Sequence, residues 1–136
     1  MKAQLDSIVI STTDPDRLRA WYANLLETTT DDQGLLIVGE QRLLFFPHDE
    51  ISGPAQEPAR IMINMRVDDA DAAAQDFERL GVTWVRPLDD TPFGRIGTVA
   101  DPDGNYLQTR LSGARRRSPG AAARSQRSTP PGSRRS

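Results

Sequence analysis

Leu5-Asp6-Ser7-Ile8-Val9-Ile10-Ser11-Thr12-Thr13-Asp14-Pro15-Asp16 changes character in its middle. Up to Ser11 it reads as a strand, with Ile8 and Ile10 on one face and Ser7, Val9 and Ser11 on the other. From Thr12 it reads as a helix start: Thr13 or Asp14 can cap, Pro15 suits a first turn, and Asp16 favours the positive end of the dipole. Leu18, Trp21, Tyr22 and Leu25 follow at helical spacing and give that helix one apolar face. Leu35–Val38 and Arg42–Phe46 are two further short strands about the Gly39-Glu40-Gln41 turn. Residues 48–59, rich in Pro, read as a linker.

Beyond the linker the same order returns. Ile61–Val67 alternates as a strand, and Asp68, Asp69 and Asp71 head a second helix with Ala73, Phe77 and Leu80 as its buried stripe. Gly81 is a natural stop. Val82–Pro87 reads as a strand, residues 89–94 as a loop, Arg95–Ala100 as a strand, Asp101-Pro102-Asp103-Gly104-Asn105 as a turn, and Tyr106–Arg110 as the closing strand. Displacing the first half by 55 positions lays Asp14 on Asp69, Asp16 on Asp71, Tyr22 on Phe77 and Leu25 on Leu80. Each half reads as βαβββ. The expected fold class is α+β: two tandem βαβββ modules, residues 4–47 and 60–111, forming a curved eight-stranded mixed sheet around a cleft with the helices outside.

Composition narrows the chemistry. With 136 residues, no Cys and one His, the chain offers no disulfide, no thiolate metal site, no thiol catalysis, and no site needing two imidazoles from one chain. No apolar run approaches the ~18 residues of a membrane helix. Met1–Asp6 shows no signal segment, so a cytoplasmic location and no membrane partner are expected. The net charge of −2 is unevenly spread. Residues 113–136 hold seven Arg and no acid, leaving residues 1–112 with 10 basic and 19 acidic groups, or −9. That Arg/Ser/Pro-rich tail lacks Leu, Ile, Val and aromatics, so it reads as disordered. Nucleic-acid binding through its charge is a minor alternative, because no aromatic is interleaved to stack on bases.

The pattern resembles the vicinal oxygen chelate superfamily, which includes glyoxalases, bleomycin-resistance proteins and extradiol dioxygenases. The resemblance covers residues 4–111. It rests on Leu5–Ile10 leading to Asp14–Tyr22, on Val67-Asp68-Asp69-Ala70-Asp71-Ala72-Ala73, and on Arg95 through Asp101-Pro102-Asp103-Gly104-Asn105. Metal-dependent members hold a divalent ion with ligands, typically His or Gln, Glu, His and Glu, on the first, fourth, fifth and eighth strands. The corresponding positions here fall on Ser7, near Leu44, on Met62 and on Gln108. Hard and borderline cations want oxygen or imidazole donors, some of them anionic. Ser7 and Gln108 are neutral, Leu44 donates nothing, and Met62 offers a thioether. The expectation is therefore no metal and no cofactor.

Strand parity places Ser7, Val9, Ser11, Leu44 and Phe46 on the inward face of the first module, and Met62, Asn64, Arg66, Tyr106 and Gln108 on that of the second. Of these, Ser7, Leu44, Phe46, Met62, Asn64, Tyr106 and Gln108 are the candidate ligand contacts. Trp84 and Phe93 are expected to wall the pocket, by resemblance to aromatic loop positions in relatives. These nine residues form the candidate ligand-binding set; no catalytic residue is assigned. His48, in the linker, reads as solvated. The acidic balance suggests a small cationic or aromatic ligand, bound or sequestered without metal. The alternatives are a glyoxalase-type lyase, isomerase or dioxygenase with unorthodox ligands, and an interaction module acting through its tail. The resemblance also implies a homodimer.

Overall fold

The computed structural model describes residues 1–112; the Arg-rich segment 113–136 lies outside the described residues. Strand β1 (Ser7–Ser11) leads into helix α1 (Pro15–Leu26), followed by β2 (Leu36–Val38) and β3 (Gln41–Phe46). After the linker come β4 (Ile63–Val67), helix α2 (Ala70–Leu80), β5 (Thr83–Thr91), β6 (Gly94–Ala100) and β7 (Tyr106–Leu111).

Both helices begin as their sequences dictate. The Asp14 carboxylate accepts from the amide of Arg17, Pro15 occupies the first turn, and Asp69 caps α2 by accepting from Ala72. The helices end differently. Gly81 closes α2 in the left-handed region, whereas Glu27 holds the equivalent place after α1 at φ 47°. Leu18, Tyr22 and Leu25 of α1 and Ala73 and Phe77 of α2 are buried and join one core with Leu43, Phe45, Met65, Val99 and Leu107 from the strands. Burying each of the larger side chains contributes about 1.5–3 kcal/mol, which is the main term holding helices to sheets.

The strands form two sheets. The first has the order β1-β3-β2, with β1 parallel to β3 and β2 antiparallel to it; the second has the order β4-β7-β6-β5, with only β4 and β7 parallel. The two orders are those of a duplicated unit, but the expected single eight-stranded sheet is not what forms. The first unit has three strands, because its remaining edge element shrinks to one bridge between Thr30 and Leu36. Thr28-Thr29-Thr30-Asp31-Asp32-Gln33-Gly34 has too little apolar content to hold a full strand there. A second difference concerns residues 89–94, read as a loop. Strand β5 runs on to Thr91, and the Thr91 hydroxyl donates to the Gly94 carbonyl at 2.7 Å, closing a tight hairpin. Gly94 sits at φ 114°, a conformation L side chains rarely adopt.

Candidate functional site

The ladders fix which side chains share a face. Ile10, Leu43 and Phe45 point into the core against the helices, so Ser7, Val9 and Ser11 of β1 stand with Arg42, Leu44 and Phe46 of β3 on the opposite face. Met65, Leu107, Thr109, Leu111 and Val99 are likewise buried on the helix side of the second sheet. Its other face is therefore ordered in rows by register. Tyr106 and Ala100 form one row with Thr83; Asn64, Gln108, Thr98 and Arg86 form the next; Arg66, Arg110, Ile96 and Asp89 form the third. Met62 precedes β4 with the parity of Asn64.

Ser7, Leu44 and Phe46 thus share one sheet face, and Asn64, Tyr106 and Gln108 share another. Both faces are open within one chain. Val9 is 57% exposed, Phe46 47% and Met62 40%. Two predicted residues lie elsewhere. Trp84 pairs with buried Val99 and packs edge-on against Phe77 of α2, ring centroids 5.1 Å apart, which puts it on the helix side. Phe93, 76% exposed, sits in the β5–β6 hairpin beside the start of α2. His48 is an exposed linker residue whose Nδ1 accepts from the Glu50 amide at 3.2 Å.

The two units are tied by a polar clamp. The Tyr22 hydroxyl donates to Asp101 at 2.8 Å, and the Thr12 hydroxyl donates to Asp103. Asp101 also accepts from the amides of Asp103 and Asn105 and from the Asn105 side chain, each at 2.9 Å, and so shapes its own turn. The turn read from Asp101-Pro102-Asp103-Gly104-Asn105 is therefore also the seat for α1. Burial, reinforced by the Asp101 charge, pushes the Tyr22 hydroxyl far above the ordinary tyrosine range, so it remains a donor.

The donor set does not fit a divalent metal. A hydroxyl, a thioether, a carboxamide and an alkyl side chain at Ser7, Met62, Gln108 and Leu44 include no anionic ligand. Among the described residues no group of three or more His, Cys, Asp or Glu is gathered to hold an ion.

The acidic surplus lies away from the strands. β1, β2, β3, β4, β6 and β7 contain no Asp or Glu; β5 supplies Asp89 and Asp90, against Arg42, Arg66, Arg86, Arg95 and Arg110 across the strands. Arg42 is answered by Asp31 at 3.1 Å, whereas Arg110 has no ion pair among the described residues. Arg86 and Arg110 were absent from the predicted set. Parity from Gln108 would have found Arg110; two register shifts in β5 hid Arg86.

Among the described residues, cavities also open beside these faces. One of about 180 Å³ opens between the end of α1 and α2, lined by Leu25, Met65, Ala73, Phe77 and Thr109. A wider acidic groove runs between Asp69, Asp71 and Phe93, and a shallow one beside Gln33 and Phe46.

The model of the Glyoxalase/Bleomycin resistance protein/Dioxygenase superfamily matches residues 4–109. Among solved structures, a genomically encoded fosfomycin resistance protein from Listeria monocytogenes is similar, with 14% identity, 82% of this chain and 94% of that chain covered, and a TM-score of 0.65. A lactoylglutathione lyase from Agrobacterium tumefaciens aligns at 19% identity, covering 82% and 95%, with a TM-score of 0.60. An antibiotic binding protein from Streptomyces sp. CB03234 aligns at 17% identity, covering 81% and 96%, with a TM-score of 0.61. At these identities the likeness establishes the fold. No protein of curated function matches the sequence.

Proposed function

The chain belongs to the glyoxalase/bleomycin resistance protein/dioxygenase superfamily, and on that premise we propose that it binds a small molecule on its open sheet faces without a divalent metal. The observation that supports this reading is the character of Ser7, Leu44, Met62 and Gln108. They lie on or beside the open faces and offer no anionic donor. Shape, apolar contact with Leu44, Phe46 and Tyr106, and hydrogen bonds to Asn64 and Gln108 then do the holding, as in other pockets with a few polar fixing points. A second copy of the chain would cover the exposed Val9, Phe46 and Met62, which favours a homodimer with the ligand held at its interface.

Metal analysis of protein purified without chelators tests the central claim. Nickel, zinc, manganese and iron are expected far below one per chain, and ligand titrations should be indifferent to added chelator. Near-stoichiometric metal, or binding abolished by chelator, overturns the reading. Sedimentation at several concentrations tests the dimer.

A further inference from the structure

We propose that the second sheet recognises a doubly charged oxyanion, a phosphoryl or phosphonyl group, between Arg66 and Arg110. This deepens the reading of a metal-independent site and rests on it. The overall acidic count of residues 1–112 favours a cationic ligand; the local arrangement favours the opposite.

Arg66 and Arg110 are direct partners in the parallel β4–β7 ladder, on the face turned away from the helices. Like charges directly opposite each other destabilise a ladder unless something of opposite sign sits between them. Little among the described residues does. The nearest carboxylate to Arg66 is Asp68 at 3.9 Å, with side chains 67% and 88% exposed, so water screens that pair. Asp89 occupies the same row, but Ile96 stands between it and Arg110, and its carboxylate already accepts from the Asp90 amide at 2.9 Å. A third cation, Arg86, stands in the adjoining row.

That row also supplies neutral hydrogen-bonding groups, Asn64 and Gln108, which are cross-strand partners. The row beyond carries Tyr106. Along the strands the face therefore grades from two guanidinium groups, through two carboxamides, to an aromatic ring. Rows two residues apart are about 6.5 Å apart. A ligand with an oxyanion at one end and an aromatic or apolar body at the other matches that gradient. Guanidinium forks suit the tetrahedral oxyanion, and two of them match its double charge.

The test is calorimetric titration of the full-length chain with phenyl phosphate, benzyl alcohol and benzylamine, at low and moderate salt. Phenyl phosphate should bind in preference to the other two and weaken as salt rises. Arg66→Gln and Arg110→Gln should each weaken it about tenfold or more, while Arg79→Gln, on α2, should leave it unchanged. Three outcomes overturn the proposal. Phenyl phosphate binding that survives both sheet substitutions shows that the anion is held elsewhere on the chain. Preference for benzyl alcohol or benzylamine, lost on substituting Phe46 or Tyr106, refutes the oxyanion while leaving the metal-independent site standing. Absence of binding by all three probes counts against both.

Discussion

Tyr22 and Asp101, 79 positions apart in the sequence, meet in a buried 2.8 Å hydrogen bond. It joins the helix of the first unit to the last turn of the second. Replacing Tyr22 by Phe keeps the ring and its packing on Phe45, centroids 5.4 Å apart, and removes only the donor. Tyr22→Phe should cost about 1–2 kcal/mol, seen as a melting temperature lowered by roughly 5–10 °C. A melt unchanged within error would show that the bond contributes nothing net. The same environment keeps the Tyr22 hydroxyl protonated well beyond the ordinary tyrosine range while the chain is folded. Because folding holds the Tyr22 proton, stability is retained below about pH 10 and declines as pH rises further.

Gly97 lies under two side chains. A Cβ there would come within 2.9 Å of Leu88 Cδ2 and of Trp84 Cζ3. Leu88 can swing aside; the indole, held on Phe77, has less room. Gly97→Ala is expected to destabilise by about 1–3 kcal/mol through overpacking, and to displace Trp84 outward with a red shift in its emission. Unchanged emission and stability would mean that the indole is not seated across β6.

Thr109 places a hydroxyl on the helix side of β7, where its Oγ1 is buried with no hydrogen-bond partner among the described residues. A buried polar group left unpaired costs about 1–3 kcal/mol. Thr109→Val, nearly the same shape, should therefore raise stability by about 1 kcal/mol or more in denaturant titrations. A loss instead would point to a water bound in the adjoining cavity as its partner.

Asp31 organises the turn before β2. Its carboxylate accepts from the amides of Leu35 at 3.0 Å and Gln33 at 2.9 Å and pairs with Arg42 at 3.1 Å. The Leu35 amide first, then that of Gln33 and the Arg42 guanidinium, hold the carboxyl below its ordinary range. The folded state thus binds this proton less readily than the unfolded chain. Its stabilisation is present above about pH 4 and is lost as pH falls through the folded value. The stability difference between the parent chain and Asp31→Asn should accordingly be largest near neutrality and shrink in acid. A difference that grows in acid would reverse the assignment.

Much of the fold was legible because burial follows period. Alternation in Ser7–Ser11 and Ile63–Val67 identified their core faces, and Asp14, Asp69 and Gly81 marked helix ends by chemistry that local sequence contains. The eighth strand was not legible, because duplication implied it while the polar run Thr28–Gly34 could sustain only a bridge. The face taken by each candidate side chain was half legible. Parity placed Ser7, Leu44, Phe46, Asn64, Tyr106 and Gln108, but no sequence rule foretells the register shifts in β5 that turn Trp84 toward α2 and Arg86 away from it. The charge total left the local distribution unread: the strands hold Arg42, Arg66, Arg86, Arg95 and Arg110 against only Asp89 and Asp90, and a sum of charges does not say where its members sit.

The clamp also has a temporal side. Thr12 and Tyr22 are synthesised long before Asp101 and Asp103, their acceptors across 91 and 79 positions. While the chain is still on the ribosome, the first unit waits with two hydroxyls unanswered and the α1 surface beneath the turn uncovered. Translation arrested before residue 101 would release a product lacking both of those bonds.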